Sequence, residues 1–189
     1  MILESEDGPE GEKMNSSFTV FKLTPGWMGL VGNEKGIQRI YLPGLEKDSL
    51  KKRILGEFPE SQESSEPFEQ ARKELQEYFL GKRVRFEFPL DLSKVTPFRK
   101  RVYEIMSTIP YGEVRTYRWL AQMVGNPRAL RAVGGANAHN QWPLAIPCHR
   151  VVGSNGQLTG FSAPGGLALK ARLLELEGII VKNNRVPLR

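Results

Sequence analysis

The sequence predicts an α+β protein in two parts: a small N-terminal sheet-plus-helix domain and a mainly helical C-terminal domain containing a helix-turn-helix. Three observations predict this. Strand-like runs separated by turn signals occupy the chain up to Leu42, and helical spacing of apolar residues dominates afterwards. The charge also changes sign near residue 95. Residues 1–95 carry 14 Lys and Arg against 17 Asp and Glu, a net of −3; residues 96–189 carry 13 against 4, a net of +9. A basic second half is suited to a polyanion, although charge alone serves solubility equally well.

The chain has 189 residues, of which 40% are hydrophobic, enough to bury a core. The expected division is a flexible leader rich in Glu, Gly and Ser over 1–15, an N-terminal domain over 16–92 and a C-terminal domain over 93–189. No apolar run approaches the length needed to cross a bilayer, and the N-terminus lacks a secretory signal. The expectation is a soluble protein of the cytoplasm, or of the nucleus in a eukaryote, with no membrane partner. Cys148 is the single cysteine, so an internal disulfide is excluded and a reducing compartment suits the chain. With His139 and His149 as the two histidines, the roughly four ligands of a structural zinc site are missing. No metal or cofactor is expected.

The elements follow in order. Residues 18–24, 27–32 and 37–42 read as strands of an antiparallel meander, separated by Pro25-Gly26 and by the turn from Asn33 to Gly36. Helices are expected over Asp48–Phe58 and Pro67–Leu80; in the second, Phe68, Ala71, Leu75 and Tyr78 recur at helical spacing. Val84–Phe88 is expected to return as a strand, and Pro89–Val95 reads as a linker opened by a proline. Thr96 and Pro97 give an N-cap and first position for a helix to Thr108. Thr116 caps a helix through Val124, and after Gly125-Asn126-Pro127 another runs from Pro127 to Ala136. That pair has a helix-turn-helix outline, which ordinary helix pairs share. Its second member contains Arg131 and the pair Gly134-Gly135. Two glycines weaken a helix by roughly 1 kcal/mol each, so close approach of another surface is expected there, either the rest of the fold or a DNA groove. A last helix runs from Gly166 to Glu177.

The segment Ile146-Pro147-Cys148-His149-Arg150-Val151-Val152 holds the chemistry. A lone cysteine is commonly a small core residue. Here a proline fixes the backbone before it, and two positive neighbours are expected to favour thiolate, the nucleophilic form. On an extended chain His149 points away from Cys148, so a bridging water is expected to carry the proton. A histidine base works best when a third group orients it. The acidic residues of the C-terminal half are Glu104, Glu113, Glu175 and Glu177, and the sequence alone does not choose Glu177, at the end of the last helix, over Glu175. Asn140 can lock neighbouring turns through both ends of its amide. The glycine-rich run from Gly153 to Gly166 can bring backbone N–H groups against a planar ligand, or can serve as a plain turn cluster.

From about Thr96 to Gly178 the chain resembles the O6-alkylguanine-DNA alkyltransferases, the methylated-DNA–protein-cysteine methyltransferases. The matching residues are Gly112-Glu113-Val114, Thr116-Tyr117, the run from Gly125 to Ala136, Asn140, Ile146 to Val152, Gly160-Phe161-Ser162, Gly165-Gly166-Leu167, Lys170, Leu173-Leu174 and Glu177-Gly178. The N-terminal half matches only in outline, a ribonuclease H-like one.

The resemblance implies single-turnover repair of O6-alkylguanine, and of O4-alkylthymine, in double-stranded DNA by a monomer with the damaged nucleotide flipped out. It makes Cys148 the alkyl acceptor, His149 a base acting through water, Glu177 its orienting carboxylate, and Asn140 the hinge between the recognition helix and an active-site strand. Arg131 becomes the finger that fills the stack, and Tyr117 the tyrosine meeting the backbone and the purine. Arg118, Asn126 and Ser154 match DNA contacts; Gly160, Phe161 and Ser162 match base contacts, in a loop that Ala163-Pro164 lengthens. The alternatives are a non-catalytic relative that binds alkylated DNA, which has another residue at the cysteine position, and a Cys-His hydrolase with turnover.

Overall fold

A computed structural model describes residues 16–188; the leader expected over 1–15 lies outside the described residues. β1 (Ser17–Leu23), β2 (Gly26–Asn33) and β3 (Gly36–Tyr41) form the antiparallel meander, with an irregularity between Val31 and Gly32. α1 (Lys47–Glu57) buries Leu50 and Ile54 against Phe18, Val31 and Tyr41. β4 (Gln62–Glu63) then adds in parallel beside β1, giving the order β3-β2-β1-β4. A 3₁₀ turn over Glu66–Phe68 leads into α2 (Glu69–Phe79), which buries Ala71, Leu75 and Tyr78 as the spacing predicted.

Val84–Phe88 does not form the expected strand. The chain meets β3 through one bridge, Ile37 to Leu90, where Ile37 N–H donates to Pro89 O (2.8 Å) and Asp91 N–H to Ile37 O (2.9 Å). Farther along the same edge, Ile40 N–H donates to Gln141 O at 2.9 Å. The edge groups that a longer strand would have used are thus taken by residues 89–91 at Ile37 and by Gln141 of the C-terminal half at Ile40.

α3 (Pro97–Ser107) starts where expected, with Pro97 at its first position, but the Thr96 hydroxyl makes no capping bond. β5 (Arg115–Thr116) precedes α4 (Tyr117–Met123), whose first turn is capped by Trp119 N–H donating to Thr116 Oγ1 at 3.1 Å. α5 (Leu130–Ala138) begins three residues later than expected. The preceding residues are held in a turn by Arg128 N–H donating to Asn126 Oδ1 and Ala129 N–H to Asn126 O. Cys148–Arg150 is a 3₁₀ turn rather than part of an extended strand; β6 (Val151–Val152) follows, parallel to β5. α6 (Gly166–Leu176) ends with Glu177 as its C-cap.

One hydrophobic cluster runs through both halves, joining Met28, Leu30, Phe68 and Leu75 to Val102, Met106, Leu120 and Ile146. Trp142 reinforces the junction by donating its ring N–H to Ile37 O at 2.6 Å. Gly44 lies close against Pro164 there: a Cβ would stand 2.6 Å from Pro164 Cβ, in a residue with φ of 145°.

Candidate active site

Cys148 sits in the 3₁₀ turn, buried, and lines a cleft of about 60 Å³. Asn140, Phe161 and Ser162 line that cleft from the C-terminal half, and Arg39, Tyr41 and Arg53 from the N-terminal half. Asn140 works as a brace. Its Nδ2 donates to Ile146 O at 2.7 Å, and its Oδ1 accepts from Trp142 N–H at 3.0 Å, fixing the turn that presents the thiol. Ser162 Oγ donates to Ala138 O at 3.2 Å, tying the glycine-rich loop to the end of α5.

Burial pushes the Cys148 thiol up, against the prediction that its positive neighbours would favour thiolate. The opposing influences are a hydrogen bond from Asn140, the charge of Lys170 and the backbone amides of the turn. His149 and Arg150 do not supply this help, because their side chains turn to Glu177. The cation nearest in effect is Lys170, fully buried in α6, whose Nζ donates to Val151 O (2.7 Å) and Thr159 O (3.0 Å). Burial lowers Lys170 to about 8, an effect that the charge of Cys148 opposes.

Behind the thiol, His149 Nε2 lies 2.8 Å from Glu177 Oε1. Arg150 grips the same carboxylate from two nitrogens, Nε to Oε2 and Nη2 to Oε1, each at 2.9 Å. Gly112 N–H donates to Oε2 at 3.1 Å, and the Tyr78 hydroxyl donates to Oε1 at 2.8 Å. Burial alone would raise the Glu177 carboxyl; His149 and Arg150 outweigh it and hold the group at about 2. Burial pushes His149 down. The site therefore holds an ionised Glu177 neutralised by Arg150, and a neutral imidazole. An ionised carboxylate only accepts, so Nε2 carries the ring proton and Nδ1 is the basic nitrogen. Nδ1 is buried, with no hydrogen-bond partner among the described residues.

Tyr117, at the start of α4, receives a hydrogen bond from Asn137 Nδ2 at 3.0 Å and lies close enough to Cys148 for a thiolate to raise it further, burial being the larger cause. Arg118, Asn126, Arg131, Ser154 and Gly160 are exposed and stand outside the cleft. Glu177 is buried whereas Glu175 is exposed, which separates the two candidates. Sequence reasoning gave no role to Tyr78, Asn137 or Lys170, although Lys170 was among the matching residues, and missed the Arg150 clamp. Lys170 had a signal: in α6 it shares a helical face with Leu173 and Leu174, both buried.

Fold and site together define a class, a two-part α+β protein that sets one buried free thiol, next in the chain to a histidine paired with a carboxylate, in the half that holds the α4–α5 helix pair. Residues 17–92 match the family described as 6-O-methylguanine DNA methyltransferase, ribonuclease-like domain, and residues 97–179 match its DNA binding domain. The chain belongs to this family, the methylated-DNA–protein-cysteine methyltransferases.

Among its relatives, the methylated-DNA–protein-cysteine methyltransferase of Methanosarcina acetivorans is 40% identical, over 85% of this chain and 97% of that one. The constitutive enzyme of Bacillus subtilis is 48% identical, over 60% and 67%. The crystal structure of the Mycobacterium tuberculosis O6-methylguanine methyltransferase superposes with a TM-score of 0.71 at 34% identity, covering 86% of this chain and 92% of that one. The same enzyme in complex with DNA gives 0.72 at 34%, covering 85% and 92%.

Among the described residues no helix is long and apolar enough to cross a membrane, and no group of three or more His, Cys, Asp or Glu is placed to hold a metal.

Proposed function

We propose that the chain repairs O6-alkylguanine, and O4-alkylthymine, in double-stranded DNA by moving the alkyl group irreversibly onto Cys148. The observation that carries this reading is the buried Cys148 lining a cleft, with the His149–Glu177 pair behind it and the helix-turn-helix in the same half. A thiol inside a pocket meets a lesion that lies inside a duplex only if the nucleotide leaves the stack, at a cost of a few kcal/mol. In this reading Arg131 fills the gap, and Arg118, Asn126 and Ser154 hold the backbone; that all four are exposed supports it.

His149 Nδ1 takes the thiol proton through a water, and the sulfur attacks the alkyl carbon. The new C–S bond forms as the C–O6 bond breaks, and its electron pair goes to the guanine. The Tyr117 hydroxyl, whose oxygen is occupied by Asn137, gives its proton to the ring as charge develops. Gly160, Phe161 and Ser162 meet the flipped base. The thioether has no easy route back, so each molecule acts once.

Residues 16–92 form the supporting domain in this reading and 93–189 the acceptor domain. The site needs no second copy of the chain, and its free thiol suits the reducing cytoplasm or nucleus. A non-catalytic lesion binder would not need a thiol backed by a base.

Cys148→Ser tests the reading. It is expected to abolish transfer from an O6-methylguanine duplex, measured with labelled DNA, while duplex affinity stays within about twofold, since backbone contacts lie elsewhere. Transfer at near the parental rate would reject Cys148 as the acceptor.

A further inference from the structure

Tyr78 lies in α2, far in sequence from the thiol, and is fully buried. Its ring stands edge-on to Phe79 and Tyr111, with centroids 5.4 and 6.2 Å away, and tilts against Phe86 at 5.8 Å. A phenylalanine would fill the same space. A buried hydroxyl carries a desolvation cost unless it finds a partner. The partner found is Glu177 Oε1 at 2.8 Å, and the Tyr78 oxygen also stands 3.4 Å from His149 Nε2. The chemistry described above makes no use of this group.

We propose that Tyr78 is a positioning residue for alkyl transfer: from the N-terminal half it holds Glu177 Oε1 against His149 Nε2–H and shares that oxygen's charge, keeping His149 neutral with Nδ1 as its basic nitrogen. The proposal rests on the repair reading above. Two oxygens, Glu177 Oε1 and Tyr78 Oη, face Nε2, and both favour the tautomer with its proton there. The hydroxyl also weakens the pull of Oε1 on an imidazolium proton, because a carboxylate oxygen that already accepts a short bond has less charge to offer. The charged and titratable groups facing His149 are Glu177, Arg150, Lys170 and Tyr78, with Cys148 next in the chain; Tyr78 alone among them precedes residue 96.

The test is Tyr78→Phe in the full chain. Transfer rates from an O6-methylguanine duplex are measured from about pH 5 to 9, with duplex affinity, Tm and the ¹⁵N NMR titration of the His149 ring. The expected result is unchanged duplex affinity, a rate at neutral pH lower by about tenfold, and an acid limb and ring titration moved up by about one pH unit. Fluorotyrosine placed at position 78 keeps the shape with a stronger donor and moves both the other way, so the test stands even if the phenylalanine variant folds poorly.

An acid limb and ring titration that do not move, whatever happens to Tm, make Tyr78 a packing residue and overturn the proposal. A parental His149 protonated at Nδ1 rather than Nε2 overturns it as well. A parent that takes no alkyl group overturns the repair reading and this proposal together; a parent that transfers while Tyr78→Phe matches it throughout overturns this proposal alone.

Discussion

Glu177 accepts from Tyr78, His149, Gly112 and two nitrogens of Arg150, so the residue proposed to orient the base is also a structural anchor. Glu177→Gln removes the charge and sets an amide donor among other donors, leaving Arg150 buried and unpaired. Breaking a buried pair in this way costs about 3–5 kcal/mol, a fall in Tm of roughly 6–20 °C at this chain length. The pH dependence has a definite sign. Held at about 2, Glu177 contributes stability that is complete above its ordinary value of 4.5 and is lost as pH falls through about 2. The Tm gap between parent and Glu177→Gln is therefore wide at pH 7 and narrower at pH 3, as thermal melts at both would show; an equal gap at both would contradict the anchor. Cys148 and His149 stood out in the sequence through the local run Ile146–Val152, but the thiolate help expected from those neighbours was misread, because His149 and Arg150 turn to Glu177. Residue type alone left Glu177 as one of several acidic candidates, and only the resemblance singled it out, since its surroundings are set by Arg150, Gly112 and Tyr78 on other elements. Tyr78 itself read as one more apolar helix position: period gives the face, not the partner of a hydroxyl.

Among the elements, α5 shows best what a helix composition means. Gly134 and Gly135 led the sequence reading to expect close approach of another surface, either the fold or a DNA groove. A Cβ at either position would meet no atom within 4 Å, so the rest of the protein does not require the glycines. Replacing both by alanine should stabilise the helix by about 1 kcal/mol or more. The added methyl groups should also weaken duplex binding by about tenfold, the scale of misfit at a close contact. Thermal melts and a binding titration check both directions; higher Tm with unchanged affinity would mean that this face of α5 does not meet DNA. Helix starts were legible where a side chain or ring fixes them, as at Thr116 and Pro97. The start of α5 and the absence of a strand at Val84–Phe88 were not. The first depends on a turn held by Asn126, and the second on Gln141 bonding to the edge of β3 across about a hundred residues of chain.

At the scale of the whole molecule, the division of labour read from charge is only part of the arrangement. The basic second half holds the thiol, the base and the helix-turn-helix. The first half shares the core, lines the cleft through Arg39, Tyr41 and Arg53, and reaches Glu177 through Tyr78. All of this serves one claim, that the protein is consumed by its own reaction. Intact-mass and peptide mass spectrometry after incubation with excess O6-methylguanine duplex tests it most directly. The account predicts one methyl group per protein molecule, located on Cys148, with one lesion removed per molecule and no more on longer incubation. Unmodified protein that clears many lesions would contradict it and make the Cys148–His149 pair the centre of a hydrolase.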